Sequence, residues 1–145
     1  MTARILETPF EPWLELDRYQ KEVIGRTGRC GGAATFVGTM RDINEGDGVQ
    51  AMFLEHYPGM TEKHLEDICA YACSNWDIID ALIIHRVGEL HPDDPIVLVA
   101  AWAGHRGPAL EACRYLIEEL KSRAPFWKKE TLGDGDRWVE HNTPG

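Results

Sequence analysis

The stretch that decides the fold is Ile96–Ala103, IVLVAAWA, followed after a short polar gap by residues 108–125, PALEACRYLIEELKSRAP. An unbroken apolar run of this length predicts a central strand, because a strand with one face in water would alternate with polar residues. The second segment opens with Pro108, which suits the first turn of a helix. Its apolar residues recur at helical steps of three and four: Leu110, Cys113, Ile117, Leu120 and Ala124. Pro125 ends the helix, because the residue before a proline avoids the α region.

The rest of the chain alternates between strand and helix signals. A second helix is predicted after the turn Pro58-Gly59, with Thr61 as its N-cap. Its apolar stripe is Leu65, Ile68, Cys69, Ala72 and Trp76. The other predicted elements are a short helical piece at Phe10–Tyr19, strands at Cys30–Gly38, Val49–His56, Ile78–Arg86, Phe126–Glu130 and Arg137–Glu140, and a loop at Asp42–Gly48. We therefore expect an α+β (mixed α/β) single domain over residues 1–145, with two main helices packed on a mixed or antiparallel sheet.

Composition and charge exclude several classes of protein. The chain has 145 residues and a net charge of −9, which disfavours binding to nucleic acid or to an anionic membrane. No apolar run approaches the length of a membrane span, and the N-terminus lacks a secretory signal. The four cysteines form no Cys-x-x-Cys pair, so we expect reduced, buried thiols and a cytoplasmic protein.

Positive charge is concentrated in a few places of this acidic chain. Residues 121–129, KSRAPFWKK, hold four cations and no acid. His105 and Arg106 precede a predicted helix N-terminus, where backbone N–H groups already favour an anion. Lys121 adjoins the apolar stripe of its helix, so partial burial would lower the pKa of its amine and suit it to proton transfer or nucleophilic attack.

Other chemistries find no support in the sequence. The histidines lack metal-ligand spacing, neither serine lies in a Gly-x-Ser-x-Gly elbow, and no glycine-rich nucleotide loop is present. We therefore expect no metal and no cofactor. From the residues alone, the chain is an anion-binding α+β domain, and an enzyme that uses a lysine is one reading of it.

Several segments together resemble the large, catalytic subunit family of molybdopterin synthase. They run in order along the chain: Thr35–Gly38 through Arg41, Leu54–Lys63 (LEHYPGMTEK), His85–Leu90, His105-Arg106, Lys121–Glu130 (KSRAPFWKKE) and Gly135–Val139. The two longest segments are unusual in composition, so chance agreement is improbable.

The resemblance implies an α/β-hammerhead fold and a sulfurtransferase. Members of that family convert cyclic pyranopterin monophosphate into molybdopterin, whose dithiolene receives two sulfurs. A small ubiquitin-like subunit supplies the sulfur as a thiocarboxylate on its C-terminal Gly-Gly. The large subunit forms a homodimer with one small subunit at each end, a heterotetramer.

The resemblance also implies roles for individual residues. It makes Lys121 and Lys128 the lysines of the reaction centre. It makes the following residues substrate-binding: Thr39, Met40, Arg41, His105, Arg106, Lys129, Glu130 and Arg137. Of these, His105 and Arg106 would reach in from the other protomer. A thin Gly-Gly tail would thread a channel that we expect near Phe36, Phe126 and Trp127.

Three other functions stay open at this point. The chain is alternatively a non-catalytic scaffold or regulatory module that docks the small subunit, although such a module would have no need to keep both lysines. An enzyme acting on another small anion, such as a phosphate-ester lyase, lacks a metal set or paired carboxylates. A nucleic-acid-binding role ranks last, since the chain has no long basic stripe.

Overall fold

The structure is a computed structural model that describes residues 1–44, 46–133 and 135–139. The helices are α1 (Pro12–Tyr19), which continues into a π-helical turn at Gln20–Ile24, α2 (Met60–Asn75) and α3 (Arg106–Arg123). The strands are β1 (Thr2–Leu6), β2 (Gly32–Thr39), β3 (Ile43–Asn44), β4 (Asp47–His56), β5 (Asp80–Arg86), β6 (Gly88–Leu90), β7 (Pro95–Ala103), β8 (Phe126–Leu132) and β9 (Gly135–Trp138). Two substantial helices packed on mixed sheets confirm the predicted α+β class.

The first sheet has the order β1-β5-β7-β2, with β1 parallel to β5 and the other pairs antiparallel. As predicted from its apolar run, β7 lies inside the sheet, and its residues from Ile96 to Ala103 are buried. Helices α2 and α3 cover one face and α1 covers the other. Both faces of β7 therefore pack against apolar side chains, which accounts for its lack of alternation.

The second sheet is built on β4, which pairs with β3, β6 and β8, while β9 pairs with β8. Strand β8 follows α3 after the two-residue connector Ala124-Pro125 and runs antiparallel to β4. Met52 and Leu54 on β4 belong to the same apolar cluster as the inner face of the first sheet. The second sheet is thereby held against the C-terminal end of α3.

The buried face of α3 matches the predicted one except at Leu110. Leu110 is exposed, while Leu116, Cys113 and Leu120 are buried together with Ala109 and Ala112. Ala109 and Ala112 let the first half of the helix approach the sheet closely, and Cys113, Leu116 and Leu120 fill the rest of the packing stripe. Ile117 and Ala124 are half-buried against the same core. The prediction that weighted Leu110 as a core residue is wrong.

The start of α2 also differs. Its N-cap is Gly59, with φ of +83°, a left-handed backbone conformation that a glycine adopts without strain. Glu62 accepts a hydrogen bond from the Gly59 N–H. Thr61 is therefore inside the first turn and is completely buried rather than capping the helix.

Three strands escaped prediction, and two cysteines expected to be buried are not, since Cys30 is exposed and Cys73 is half-buried. Residues 42–48 are not a plain loop, since they contain β3 and the start of β4, and neither β1 nor β6 was predicted. These strands are short and lack a period of two, so their pairing partners rather than their own sequence define them. Glu140, the end of the predicted last strand, lies outside the described residues. All four cysteines are free.

Candidate active site

A cleft forms where the end of β2, the end of α3 and the inner face of β8 meet. It measures about 90 Å³ and brings together six of the predicted site residues: Thr39, Met40, Arg41, Lys121, Lys128 and Glu130. Four further residues that sequence reasoning missed also line it: Asn44, Met52, Ile96 and Val139. Asn44 was missed because its segment was predicted as a loop. The three apolar residues carry no chemical signal of their own.

The two lysines approach one another through the short connection between helix and strand. Lys121 lies in the last turn of α3 and Lys128 is the third residue of β8. Strand alternation turns Phe126, Lys128 and Glu130 to the inner face of β8. Both amines thus face the same cleft although they come from different elements.

Burial changes the proton affinity of both amines. Desolvation, followed by the nearby charge of Lys128, lowers the pKa of Lys121 from 10.5 to about 8. Desolvation likewise lowers the pKa of Lys128, and Arg41 adds to this effect while Glu130 opposes it. The Lys121 amine consequently exchanges its proton within reach of neutral pH, which is the property that acid–base catalysis requires.

The backbone at the end of β2 is tied to the loop that precedes β7. The Met40 N–H donates to the Asp94 carbonyl at 2.9 Å, and the Asp93 N–H donates to the Met40 carbonyl at 2.9 Å. Met40 itself is buried. These bonds fix the position of Arg41, whose side chain stands exposed at the rim of the cleft.

Glu130 and Arg137 form a latch with Asn44. The two Glu130 carboxylate oxygens accept one hydrogen bond each, from Arg137 Nε at 3.1 Å and from Asn44 Nδ2 at 3.0 Å. Arg137 Nη2 also donates to the Asn44 carbonyl at 3.0 Å. Because Glu130 is only 4% exposed, this closed set holds the β3–β4 hairpin onto β8 and β9. Arg137 therefore reaches the cleft through Glu130 rather than by lining it.

Two predicted features of β8 point away from the cleft. Lys129 lies on the outer face, with Nζ 3.5 Å from Asp136 Oδ2 and 5.9 Å from the ring centroid of Trp138. Trp127 shares that outer face and packs edge-on against Tyr57. Phe126, on the inner face, stacks on His85. Of the three aromatic residues expected along a tail channel, Phe36 (43% exposed, beside α3) and Trp127 (41% exposed) are open to solvent, but Trp127 lies on the outer face of β8.

His105 and Arg106 lie at the opposite end of the molecule from the cleft. They follow Ala103, which pairs with Gly32 at the start of β2, whereas Arg41 follows Thr39 at its end. Those two ends of β2 are roughly 23 Å apart at the rise of an extended strand. No side chain spans that distance, so one protomer does not bring this pair to its own cleft.

Metal ligands and reactive thiols are not part of the cleft. Among the residues described, no group of three or more His, Cys, Asp or Glu side chains could hold a metal ion. Burial raises the pKa of Cys69 to about 12 and that of Cys113 to about 11, so both stay protonated thiols. Of the helices in the described ranges, none has the length and apolar character to cross a bilayer.

Comparison with known proteins identifies the family to which this chain belongs. The profile of the MoaE protein family matches residues 11–123. The chain belongs to the MoaE family. The molybdopterin synthase catalytic subunit of Ralstonia nicotianae is 52% identical over 141 residues, which cover 96% of this chain and 77% of that protein.

Solved members of the MoaE family share the fold. The molybdopterin biosynthesis MoaE protein from Burkholderia ambifaria superposes with a TM-score of 0.80 at 47% identity, covering 99% of this chain and 92% of the other. The molybdopterin synthase from Staphylococcus aureus gives a TM-score of 0.82 at 31% identity, covering 94% and 96%.

Proposed function

We propose that this chain is the catalytic subunit of a molybdopterin synthase. It transfers sulfur from the C-terminal thiocarboxylate of a small ubiquitin-like subunit to cyclic pyranopterin monophosphate, and so forms the molybdopterin dithiolene. The observation that carries this proposal is the meeting of Lys121 and Lys128 in one cleft, with the pKa of both amines lowered. Its relatives bear the name of a catalytic subunit, a term that itself calls for a second chain.

The charges of the cleft suit the two anions that this reaction brings together. The substrate carries a cyclic phosphate and the sulfur donor carries a thiocarboxylate. Arg41 at the rim offers a guanidinium fork for the phosphate, and Lys128 is positioned to orient the pterin and the donor tail. The apolar walls at Met52 and Ile96 strengthen each ionic contact by excluding water.

Lys121 is the proton carrier in this proposal. With a pKa of about 8, it protonates the substrate oxygen that leaves as the thiocarboxylate sulfur bonds to a side-chain carbon of the pterin, or it acts transiently as a nucleophile there. Water then hydrolyses the resulting thioester, which releases the tail as a carboxylate and leaves the sulfur on the pterin, and Lys121 takes up the proton that this step frees. The protonated, buried thiols of Cys69 and Cys113 take no part, since the sulfur arrives on the partner.

A second copy of the chain completes the phosphate site. The family resemblance implies that His105 and Arg106 serve the cleft of the other protomer of a homodimer, and their separation of roughly 23 Å along β2 from the Arg41 end supports this assignment. A small subunit at each end makes the assembly a heterotetramer. The donor tail enters beside α3 at Phe36, and Lys129 and Trp127, on the outer face of β8, stay outside that path.

The remaining assignments are proposals of the same kind. The chain acts in the cytoplasm, as a single catalytic domain over residues 1–145, and needs no cofactor of its own.

Reconstitution tests the function directly. The purified chain is incubated with cyclic pyranopterin monophosphate and the small subunit, in thiocarboxylate form or, as the control, in plain carboxylate form. We expect the dithiolene product only with the thiocarboxylate. A tight complex with the thiocarboxylated partner that yields no product would instead identify a scaffold or regulatory module.

A further inference from the structure

A completely enclosed histidine lies behind the two lysines. His85 is near the end of β5, is 3% exposed, and has paired strands on both sides, β1 through Ile5 and β7 through Val97. Its ring stacks on Phe126 with centroids 4.0 Å apart and planes 15° from parallel. Among the aromatic contacts of the described residues, this stack is the only one that joins the first sheet to β8.

The ring of His85 is held in one orientation and one protonation state. Nδ1 lies 2.8 Å from the Arg86 carbonyl oxygen, and since a carbonyl only accepts, Nδ1 carries the proton. Burial, then the charge of Lys121, then those of Lys128 and His56, lower the pKa of His85 to about 3, against a weaker opposing effect of the Arg86 hydrogen bond. The side chain is therefore a neutral, fixed aromatic plate.

The His85 ring contacts the segment of chain that connects the two lysines. Lys121 and Lys128 are separated by the end of α3, the connector Ala124-Pro125 and the first residues of β8. Thr61 Oγ1 anchors the connector by donating to the Pro125 carbonyl at 3.3 Å. Directly after it, Phe126 pairs with His56 of β4 and stacks on His85. Phe126 and Lys128 are two residues apart on the same face of the strand, so fixing the first ring fixes the direction of the second side chain.

We propose that His85 is a positioning residue, whose stack on Phe126 sets the approach of Lys128 to Lys121 and keeps water from the space between them. This inference deepens the proposed function and rests on it for its catalytic meaning. The chemistry explains the choice of residue: histidine supplies a flat ring for Phe126 and an N–H that ties the ring to the backbone, while its neutrality adds no third positive charge beside two amines.

The test is the proton affinity of Lys121, read by trace acetylation of the purified chain over a range of pH and mass spectrometry of the lysine peptides. This readout needs neither substrate nor partner, so it stands whether or not the reconstituted chain makes product. In His85→Leu the plate is lost, β8 loosens and water reaches the amines. We expect the pKa of Lys121 to move from about 8 up toward its ordinary value, by about one unit or more. His85→Phe, which keeps the plate, should stay near the native value.

Two further variants separate positioning from loss of stability. Phe126→Leu removes the other half of the stack from a less buried position and should raise the pKa of Lys121 in the same way. Ile84→Ala opens a cavity on the opposite face of β5, in the other core cluster, and should lower the melting temperature without moving the titration of Lys121. A Lys121 titration that is unchanged in His85→Leu and Phe126→Leu, or one that moves equally in Ile84→Ala, would overturn the proposal.

If the synthase assay is active, the same shift should appear in the pH dependence of kcat/KM. In His85→Leu we expect kcat to fall on the order of 10–100-fold, the scale of a misplaced reacting group. Retention of native kcat and of the native pH profile in this variant would contradict the positioning role, while the absence of product with the native chain would count only against the proposed function.

Discussion

Lys121 is the residue at which the proposed function and stability conflict. Its amine is taken out of water and lies near a second positive charge, which lowers its pKa from 10.5 to about 8. The unfolded chain therefore binds more protons than the folded chain between those pH values, and stability rises with pH across this window. Below pH 8 the buried positive charge lowers the free energy of unfolding by its full amount, roughly 3 kcal/mol for a pKa shift of this size.

Replacing this amine should stabilise the protein. We expect Lys121→Met to raise the free energy of unfolding by about 1–3 kcal/mol at pH 6–7, because a buried charge gives way to an apolar chain of similar length. The gain should shrink as the pH rises toward 10.5. Urea unfolding at several pH values measures this. Lys63→Met, at an exposed lysine of α2, is the control and should change little; an equal gain at both positions would contradict the burial argument.

The two amines should also titrate as a coupled pair. Since the charge of Lys128 helps to lower the pKa of Lys121, Lys128→Met should raise the pKa of Lys121, as measured by NMR of the labelled lysine side chain. No movement of the Lys121 resonance between the native chain and this variant would mean that burial alone sets its pKa.

At the scale of elements, the sequence predicted the strands and helices whose apolar residues form a continuous run or recur at a regular spacing. The apolar run of β7 and the periodic stripe of α2 identified a central strand and a helix against the core. The predicted stripe of α3 was right at Cys113 and Leu120 and wrong at Leu110, which is exposed, because the smaller Ala109 and Ala112 face the sheet in its place. β1, β3 and β6 are too short to carry a period. The partners of β1 and β6 lie far away in the chain, whereas β3 has two residues and forms a tight hairpin with β4.

The latch at Glu130 is an element-scale device, since it ties a hairpin to two strands. Glu130→Gln keeps the shape but leaves Arg137 without its carboxylate, so we expect the free energy of unfolding to fall by about 1–3 kcal/mol. The pKa of Lys128 should fall further, because Glu130 supports its charge. Glu55→Gln, on the exposed outer face of β4, is the matched control for urea unfolding. Equal stability of the Glu130→Gln variant and the native chain would show that the latch contributes nothing.

At the scale of the whole molecule, the proposed site draws on residues that lie at opposite ends of one chain. The sequence indicated which side chains are cationic, and the resemblance indicated that they act together. Neither indicated that Lys129 faces outward or that Arg137 acts through Glu130, because both facts follow from strand register and pairing. The separation of His105 from Arg41 likewise appears only once β2 and β7 are aligned.

Mixed dimers test this shared site. Arg41→Ala and Arg106→Ala should each abolish most activity as homodimers, because every cleft then lacks one cation. In a heterodimer one cleft carries both changes and the other carries neither, so mixing the two variants should restore about a quarter of native activity for random pairing in a two-fold dimer. A mixture as inactive as its components, with subunit exchange confirmed by mass spectrometry, would place both arginines in the same chain's site.

The central claim is that the Lys121 amine carries out proton transfer or attack during sulfur transfer. The most direct measurement is single-turnover formation of molybdopterin by Lys121→Met with saturating thiocarboxylated small subunit and cyclic pyranopterin monophosphate. With the variant shown to be folded, the account predicts a rate lower by about 10²–10⁴-fold than that of the native chain. A rate within a few-fold of native would contradict it.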